Sequence, residues 1–165
     1  MASPTSAASP TAAASPAKTI TVISSAFAEG ERIPERYTCK GGSERPPLAG
    51  SGDVGEAAAF ALIVDDPHAP GFTYVHWIAY DIPAATREIP AGDLPADLLQ
   101  ASNSAGGANW TPPCPPSGEH RYRFTVYALK QKIGLLAGTE AGEARRAIEA
   151  AAIRTGTLTG LYGNP

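Results

Sequence analysis

The sequence predicts a mainly β, loop-rich fold with a single helix near the C-terminus. Glycine (17) and proline (16) are abundant among 165 residues while charged residues make up only 18%, a balance that suits short strands joined by turns better than a helical bundle. Apolar residues come in short runs, each closed by proline or glycine, as strands do. Only one segment, residues 139–154, repeats its apolar positions at helical spacing.

Residues 1–17, MASPTSAASPTAAASPA, contain only Ala, Ser, Pro and Thr after Met1. Such a segment has too little apolar surface to offset its ordering entropy, so a disordered tail over 1–17 and one folded domain over 18–165 are expected. Composition leaves two settings open for that tail. It suits a tether behind a removed export signal or lipid anchor, and equally the tail of a cytoplasmic protein.

The first strand is expected within TITVIS, residues 19–24. Residues 57–65, AAAFALIVD, are mostly apolar and suit a strand buried on both faces, ending before Pro67 and Pro70. In residues 72–82, strict alternation puts Tyr74, His76, Ile78 and Tyr80 on one face and Thr73, Val75, Trp77 and Ala79 on the other. The same reading of residues 120–129 gives a core face of His120, Tyr122, Phe124, Val126 and Ala128. The helix is expected over 139–154, with Thr139 as N-cap, Glu140 and Glu143 in the first turn and Gly156 after its end. Ala144, Ala147, Ile148, Ala151 and Ala152 form its apolar stripe, and a last strand is expected over 157–162.

The formal charge of −3 and the absence of any Lys/Arg-rich run argue against nucleic-acid binding driven by counterion release. The longest apolar run, residues 57–64, is far short of the roughly 18 residues a transmembrane segment needs. A chain of this length buries about 69% of its unfolded surface, enough for a core that needs no metal, cofactor or disulfide.

Chemistry concentrates around the histidines. All three lie near proline-rich turns: His68 in DDPHAP, His76 before Trp77, and His120 in CPPSGEHRY. His120 and Tyr122 leave the same face of a strand about 7 Å apart, close enough to share a small ligand. An imidazole and a phenol both donate hydrogen bonds, which suits an oxyanion, although the same spacing also suits two hydrogen-bonded polar groups of a core.

With FAEGERIP from Phe27, Tyr37-Thr38-Cys39 with Gly41, Pro46-Pro47-Leu48, ALIVDDPHAP from Ala61, HWIAYDIP from His76, CPPSGEHRYRFTVYAL from Cys114 and the closing LTGLY, the sequence resembles the phosphatidylethanolamine-binding protein family, in its bacterial and archaeal Raf-kinase-inhibitor-like branch. The resemblance covers nearly everything after the tail. It implies a large antiparallel sheet packed on a smaller one, a C-terminal helix, and a shallow anion pocket at one end. By position in the motifs, the implied pocket comprises Asp66, His76, His120 and Tyr122, with the backbone around Cys114, Pro115 and Pro116 as one wall. The implied ligand is a small phosphate or carboxylate, including a phospholipid headgroup. No catalytic residue is implied.

Three departures from the family pattern bear on the pocket. His68 stands where a second Asp is usual, and Thr111-Pro112-Pro113 replaces a glycine-rich approach to Cys114, which stiffens the loop and removes an amide donor. The helix has Ala151 where relatives often have His, and Gly50 follows PPL in place of Trp. Cys39 and Cys114 both fall in family motifs and are expected to lie close in space, bonded if the protein is exported and reduced if it is cytoplasmic.

Three other readings compete. A hydrolase would use Cys114 as nucleophile with His76 or His120 as base, but Pro113 and Pro115 flank the cysteine and keep it from starting a helix that would lower its pKa. A metal site would draw on His76, His120 and Asp66, which have the right ligand types. A regulatory module would use the same anion pocket to engage a kinase or protease partner.

Overall fold

The computed structural model describes residues 15–92, 94 and 97–164, so residues 1–14 of the expected tail lie outside the described residues. The strands are β1 (Ile20–Ile23), β2 (Leu48–Gly52), β3 (Ala59–Asp66), β4 (Tyr74–Pro83), β5 (Glu88–Ile89), β6 (Leu99–Gln100), β7 (Glu119–Leu129) and β8 (Ala152–Gly163), with helix α1 (Ala141–Ala151) between β7 and β8. They form a five-stranded sheet in the order β6-β4-β3-β7-β8 and a three-stranded sheet in the order β1-β2-β5. All strand pairs are antiparallel.

β3 lies at the centre of the large sheet and is buried along its whole length. Phe60, Leu62 and Val64 face the core between the two sheets, where they meet Ile20, Val22, Leu48, Phe124 and Leu158. Ala59, Ala61 and Ile63 face the helix, packing with Ala144, Ile148 and Ala151. A strand covered on both faces needs apolar residues at every position, which explains the run seen in the sequence.

β4 departs from strict alternation. Its pairing with β3 passes from Val64↔Trp77 to Asp65↔Val75, so His76 is an extra residue at a bulge. A second register shift separates Phe60↔Ile82 from Leu62↔Ala79, next to Asp81 at φ 52. Trp77, Ala79 and Ile82 therefore join the core between the sheets, while Val75, Ile78 and Tyr80 face the helix. The expected faces, which grouped Val75 with Trp77 and His76 with Ile78, are corrected accordingly. β7 keeps its expected register, with Tyr122, Phe124, Val126 and Ala128 turned to the inter-sheet core.

The helix is shorter than its apolar spacing suggests. Glu140, not Thr139, is the N-cap, its carboxylate accepting from Gly142 N at 3.0 Å and Glu143 N at 3.1 Å. These two amides hold the exposed Glu140 carboxyl below its ordinary pKa. Thr139 Oγ1 instead donates to the Leu136 carbonyl at 2.6 Å. At the other end the chain turns directly into β8 at Ala152, where Ile153, Thr155 and Thr157 favour extended backbone. Gly156 is therefore no helix stop. It lies inside β8, where a Cβ would sit 1.9 Å from the Ile20 carbonyl oxygen. The extended pairing reaches back to Ala17, which bridges to Arg154 and accepts from Thr155 N at 2.9 Å.

Gly156→Ala forces β1 and β8 apart, and we expect it to cost about 3 kcal/mol, the upper end of the overpacking range. Gly50→Ala, whose Cβ would have nothing nearer than 3.8 Å, is expected to leave stability unchanged. Urea denaturation of both variants checks this, and equal midpoints would overturn the close-approach account.

Candidate functional site

The end of β3, the bulge of β4, the start of β7 and the proline-rich loop before it enclose a cavity of about 410 Å³. Asp66, His76, Cys114, Pro115, Pro116, His120 and Tyr122 all line it, together with Tyr74 and Thr111. Ala69, Pro70, Phe72 and Pro112 complete an apolar rim, on which Phe72 is 58% exposed. Neither Lys nor Arg is among the lining residues.

Asp66 and His120 form a buried pair, with His120 Nδ1 at 2.6 Å from Asp66 Oδ2. The other carboxylate oxygen accepts from the His68 amide at 2.8 Å. His120 Nε2 lies 3.1 Å from the Ser117 carbonyl oxygen. Both ring nitrogens thus face oxygen atoms of the protein. The unusual His68 contributes its backbone, and its side chain is exposed.

His76 is held differently. Its Nδ1 donates to the Thr111 carbonyl at 2.8 Å, and Thr111 N returns a bond to the His76 carbonyl at 3.0 Å. A neutral imidazole that donates from Nδ1 carries its lone pair on Nε2. Burial pushes the His76 pKa below its ordinary value, against the opposing effects of the Thr111 bond and the nearby Asp66 and Asp65. Tyr74 and Tyr122 flank the ring with centroids 4.8 and 5.2 Å away. Burial raises the Tyr122 phenol well above its ordinary pKa, so the hydroxyl keeps its proton.

Cys39 and Cys114 are joined by a disulfide with Cα atoms 5.4 Å apart. The Cys39 amide also donates to the Pro113 carbonyl at 3.1 Å, so two links tie the proline-rich wall to the turn after residue 38. A sulfur held in a disulfide offers no thiolate, which removes the nucleophile of the hydrolase reading. The metal reading fares no better: Asp66 and His120 spend their polar atoms on protein partners, and no metal-binding cluster of His, Cys, Asp or Glu occurs among the described residues.

The family model for phosphatidylethanolamine-binding protein matches residues 23–163. This chain belongs to that family. A UPF0098 protein of Pyrococcus horikoshii is 41% identical over 149 residues, which cover 85% of this chain and 75% of the relative. LppC of Mycobacterium tuberculosis, named as a candidate lipoprotein, is 40% identical over 88% of this chain and 73% of its own length. Among solved structures, Escherichia coli YbcL, described as a member of the mammalian family, superimposes with a TM-score of 0.83 at 30% identity, over 89% of this chain and 99% of its own. A family homologue from Chlamydia trachomatis superimposes with a TM-score of 0.82 at 32% identity, over 90% of this chain and all of its own. The two-sheet architecture with a C-terminal helix is the family fold.

Three groups that line this cavity or lie behind it escaped the sequence reading. Tyr74 was visible as an alternating aromatic, but nothing distinguished it from a core residue. The Thr111 carbonyl was hidden because backbone groups leave no side-chain signature. Asn103, which lies behind the lining and donates to Thr111 Oγ1 at 2.8 Å, was masked by its setting in a Gly/Asn/Ser loop, where asparagine ordinarily serves turns.

Removing one member of the buried pair leaves the other without its partner. Asp66→Ala is therefore expected to lower unfolding free energy by about 3 to 5 kcal/mol, and a loss under about 1 kcal/mol, typical of an exposed pair, would contradict the burial. The disulfide spans 75 residues, and in the chain-entropy model closing that loop stabilises by about 4.5 kcal/mol, an upper value. Protein purified without reductant should show no titratable thiol after denaturation, and Cys39→Ser should unfold at a markedly lower denaturant concentration.

Proposed function

We propose that this protein is a non-catalytic binding protein whose cavity takes a small phosphate or carboxylate together with one proton. The observation that carries this is His76 at the cavity wall, with Nδ1 committed to Thr111 and Nε2 left for a ligand. Neutral His76 accepts a proton from a protonated oxyacid, and protonated His76 donates to an anion while keeping its bond to Thr111. Tyr122 supplies a hydroxyl donor. Asp66 and His120 act from behind, as a hydrogen-bonded pair that shapes the wall.

An oxyanion entering without a proton meets the Asp66 carboxylate and no lysine or arginine among the lining residues. Ligand and proton uptake are therefore coupled. A phosphomonoester headgroup and free phosphate offer the same chemistry to Nε2. The exposed Phe72 and the prolines of the rim leave room for whatever the headgroup is attached to, a lipid or a phosphorylated partner protein. The disulfide suits an oxidising compartment, and with the naming of LppC as a candidate lipoprotein it supports an exported setting.

The pH dependence follows from the sign of the His76 shift. The charged and titratable groups around the ring are Asp66, Asp65, His120, Tyr74 and Tyr122. In the free protein burial holds the His76 pKa below its ordinary value, and a bound anion raises it. Anion affinity is therefore highest below the free-protein value and falls as pH rises from there through the bound-state value. Calorimetry with acetate, which stays ionised across this window, should show affinity falling between pH 5.5 and 8 with uptake of close to one proton. Inorganic phosphate and phosphoethanolamine separate a simple anion site from a headgroup site. His76→Gln should weaken binding at low pH by about 10- to 100-fold, the worth of a hydrogen bond to a charged group, and flatten the profile. A flat wild-type profile, or a variant that binds acetate as the wild type does, would overturn the proposal.

A further inference from the structure

We propose that Asn103 is the positioning residue that fixes the ring tautomer of His76, and thereby the polarity that the cavity presents to a ligand. This rests on the assignment of the cavity as a ligand site. Asn103 is 5% exposed and outside the cavity lining. Its Nδ2 lies 2.7 Å from the Asn109 carbonyl, 3.1 Å from Asn109 Oδ1 and 2.8 Å from Thr111 Oγ1. Its Oδ1 accepts from the Ala105 and Gly107 amides at 2.9 and 3.2 Å. The main chain closes the same turn, with Asn103 N donating to the Gly107 carbonyl at 2.8 Å.

This one amide therefore folds the loop from 103 to 111 onto itself, and the loop lies along the open edge of β4. There β6 pairs only with Ala79 and Tyr80, so the backbone around the bulge needs other partners. The loop supplies them: Ser104 N donates to the Val75 carbonyl at 2.9 Å, Val75 N to Ser104 Oγ at 2.8 Å, and Thr111 N to the His76 carbonyl at 3.0 Å. The last of these contacts brings the Thr111 carbonyl to within 2.8 Å of His76 Nδ1. A ring nitrogen facing a fixed carbonyl must carry the proton, so the opposite nitrogen is the one without it.

Only a primary amide meets these demands at one buried point. It offers two N–H donors to Asn109 and Thr111 and a carbonyl acceptor to the turn amides. Aspartate lacks the donors and alanine lacks both functions. Without the clamp, Thr111 loses its anchor at Oγ1, and its carbonyl is no longer held against the ring. His76 then samples both tautomers, and Nε2 no longer shows the cavity an acceptor alone.

Long-range ¹H–¹⁵N spectra of the histidine rings, with His76 identified from the His76→Gln variant, read the tautomer without any ligand. The wild type should show a protonated Nδ1 and a bare Nε2 at His76 at pH 8. Asn103→Ala should show a mixture, and because the Nε2–H tautomer donates to an anion without first taking up a proton, the fall of its acetate affinity with rising pH should be shallower than in the wild type. Thr111→Val removes only the Oγ1 contact and should give a smaller mixture, while Thr111→Ser should behave as the wild type. Should Asn103→Ala not fold, the two Thr111 variants decide alone. A folded Asn103→Ala or Thr111→Val protein that keeps His76 wholly in the Nδ1–H form overturns the role of Asn103, whatever its affinity. A shifted tautomer in a protein whose wild type fails to bind acetate, phosphate or phosphoethanolamine overturns the ligand-site assignment and leaves the positioning role standing.

Discussion

The carboxylate of Asp66 sets the constraint around which this end of the molecule is built. It ends a strand buried on both faces, where an ion without partners would cost several kcal/mol. One oxygen is taken by the His68 amide of the following turn and the other by His120 on the neighbouring strand. His120 passes its remaining hydrogen bond to Ser117, on the loop that leads into β7. Beyond the backbone ladder that pairs β3 with β7, the end of β3, the turn after it and the loop before β7 are thereby set relative to one another. The cavity is the space left in front of that buckle, lined by a closed polar chain and two neutral aromatic flanks.

The preceding residue shows how alternation along one strand separates two roles. Asp65 points to the helix side, where Arg123 binds both its oxygens at 2.8 and 2.9 Å and Arg145 of α1 adds a bond at 2.7 Å. Guanidinium groups hold their charge at any ordinary pH and fix a carboxylate by geometry, so Asp65 anchors the helix to the sheet. On the cavity side the same strand uses histidine, whose protonation is adjustable. Two adjacent carboxylates are thus partnered by different chemistry on opposite faces, and the buried histidines His76 and His120 both line the cavity.

Much of this was legible in the chain. A fully apolar run can only be a strand covered on both sides or a buried helix, and the prolines after Asp66 decide for the strand, so β3 was visible. β7 was visible because His120, Tyr122 and Phe124 alternate without interruption to the core face. The bulge at His76 was not, since it inserts a residue without altering composition and turns Trp77 to the opposite face from the one that alternation assigns. β2, with the sequence LAGSG, carries no β-branched residue and reads as a turn. The helix ended early because the β-branched residues after Ala152 joined a long sheet partner, a tertiary preference that local apolar spacing does not reveal. In the cavity, the residue types and their convergence could be read from motifs, but their hydrogen-bond partners could not. Both nitrogens of His120 and one nitrogen of His76 are committed to groups of the protein, and two of those three acceptors are backbone carbonyls.

The loop before β7 completes the logic, because it replaces flexibility with rigidity. Pro112, Pro113, Pro115 and Pro116 fix their own backbone angles and give up their amide donors, so this wall offers a proposed ligand a shape rather than a nest of N–H groups. The disulfide at Cys114 and the amide of Cys39 hold the same wall from outside. A wall already ordered in the free protein loses little conformational entropy when a ligand arrives. The price of that rigidity is adaptability: with amide donors removed and basic side chains absent from the lining, discrimination falls to the few polar atoms that remain, chiefly His76 Nε2 and the tyrosine hydroxyls. In the proposed binding role, small changes in how His76 is held would change what the cavity accepts, and specificity would then be set at the edge of β4 rather than at the apolar rim.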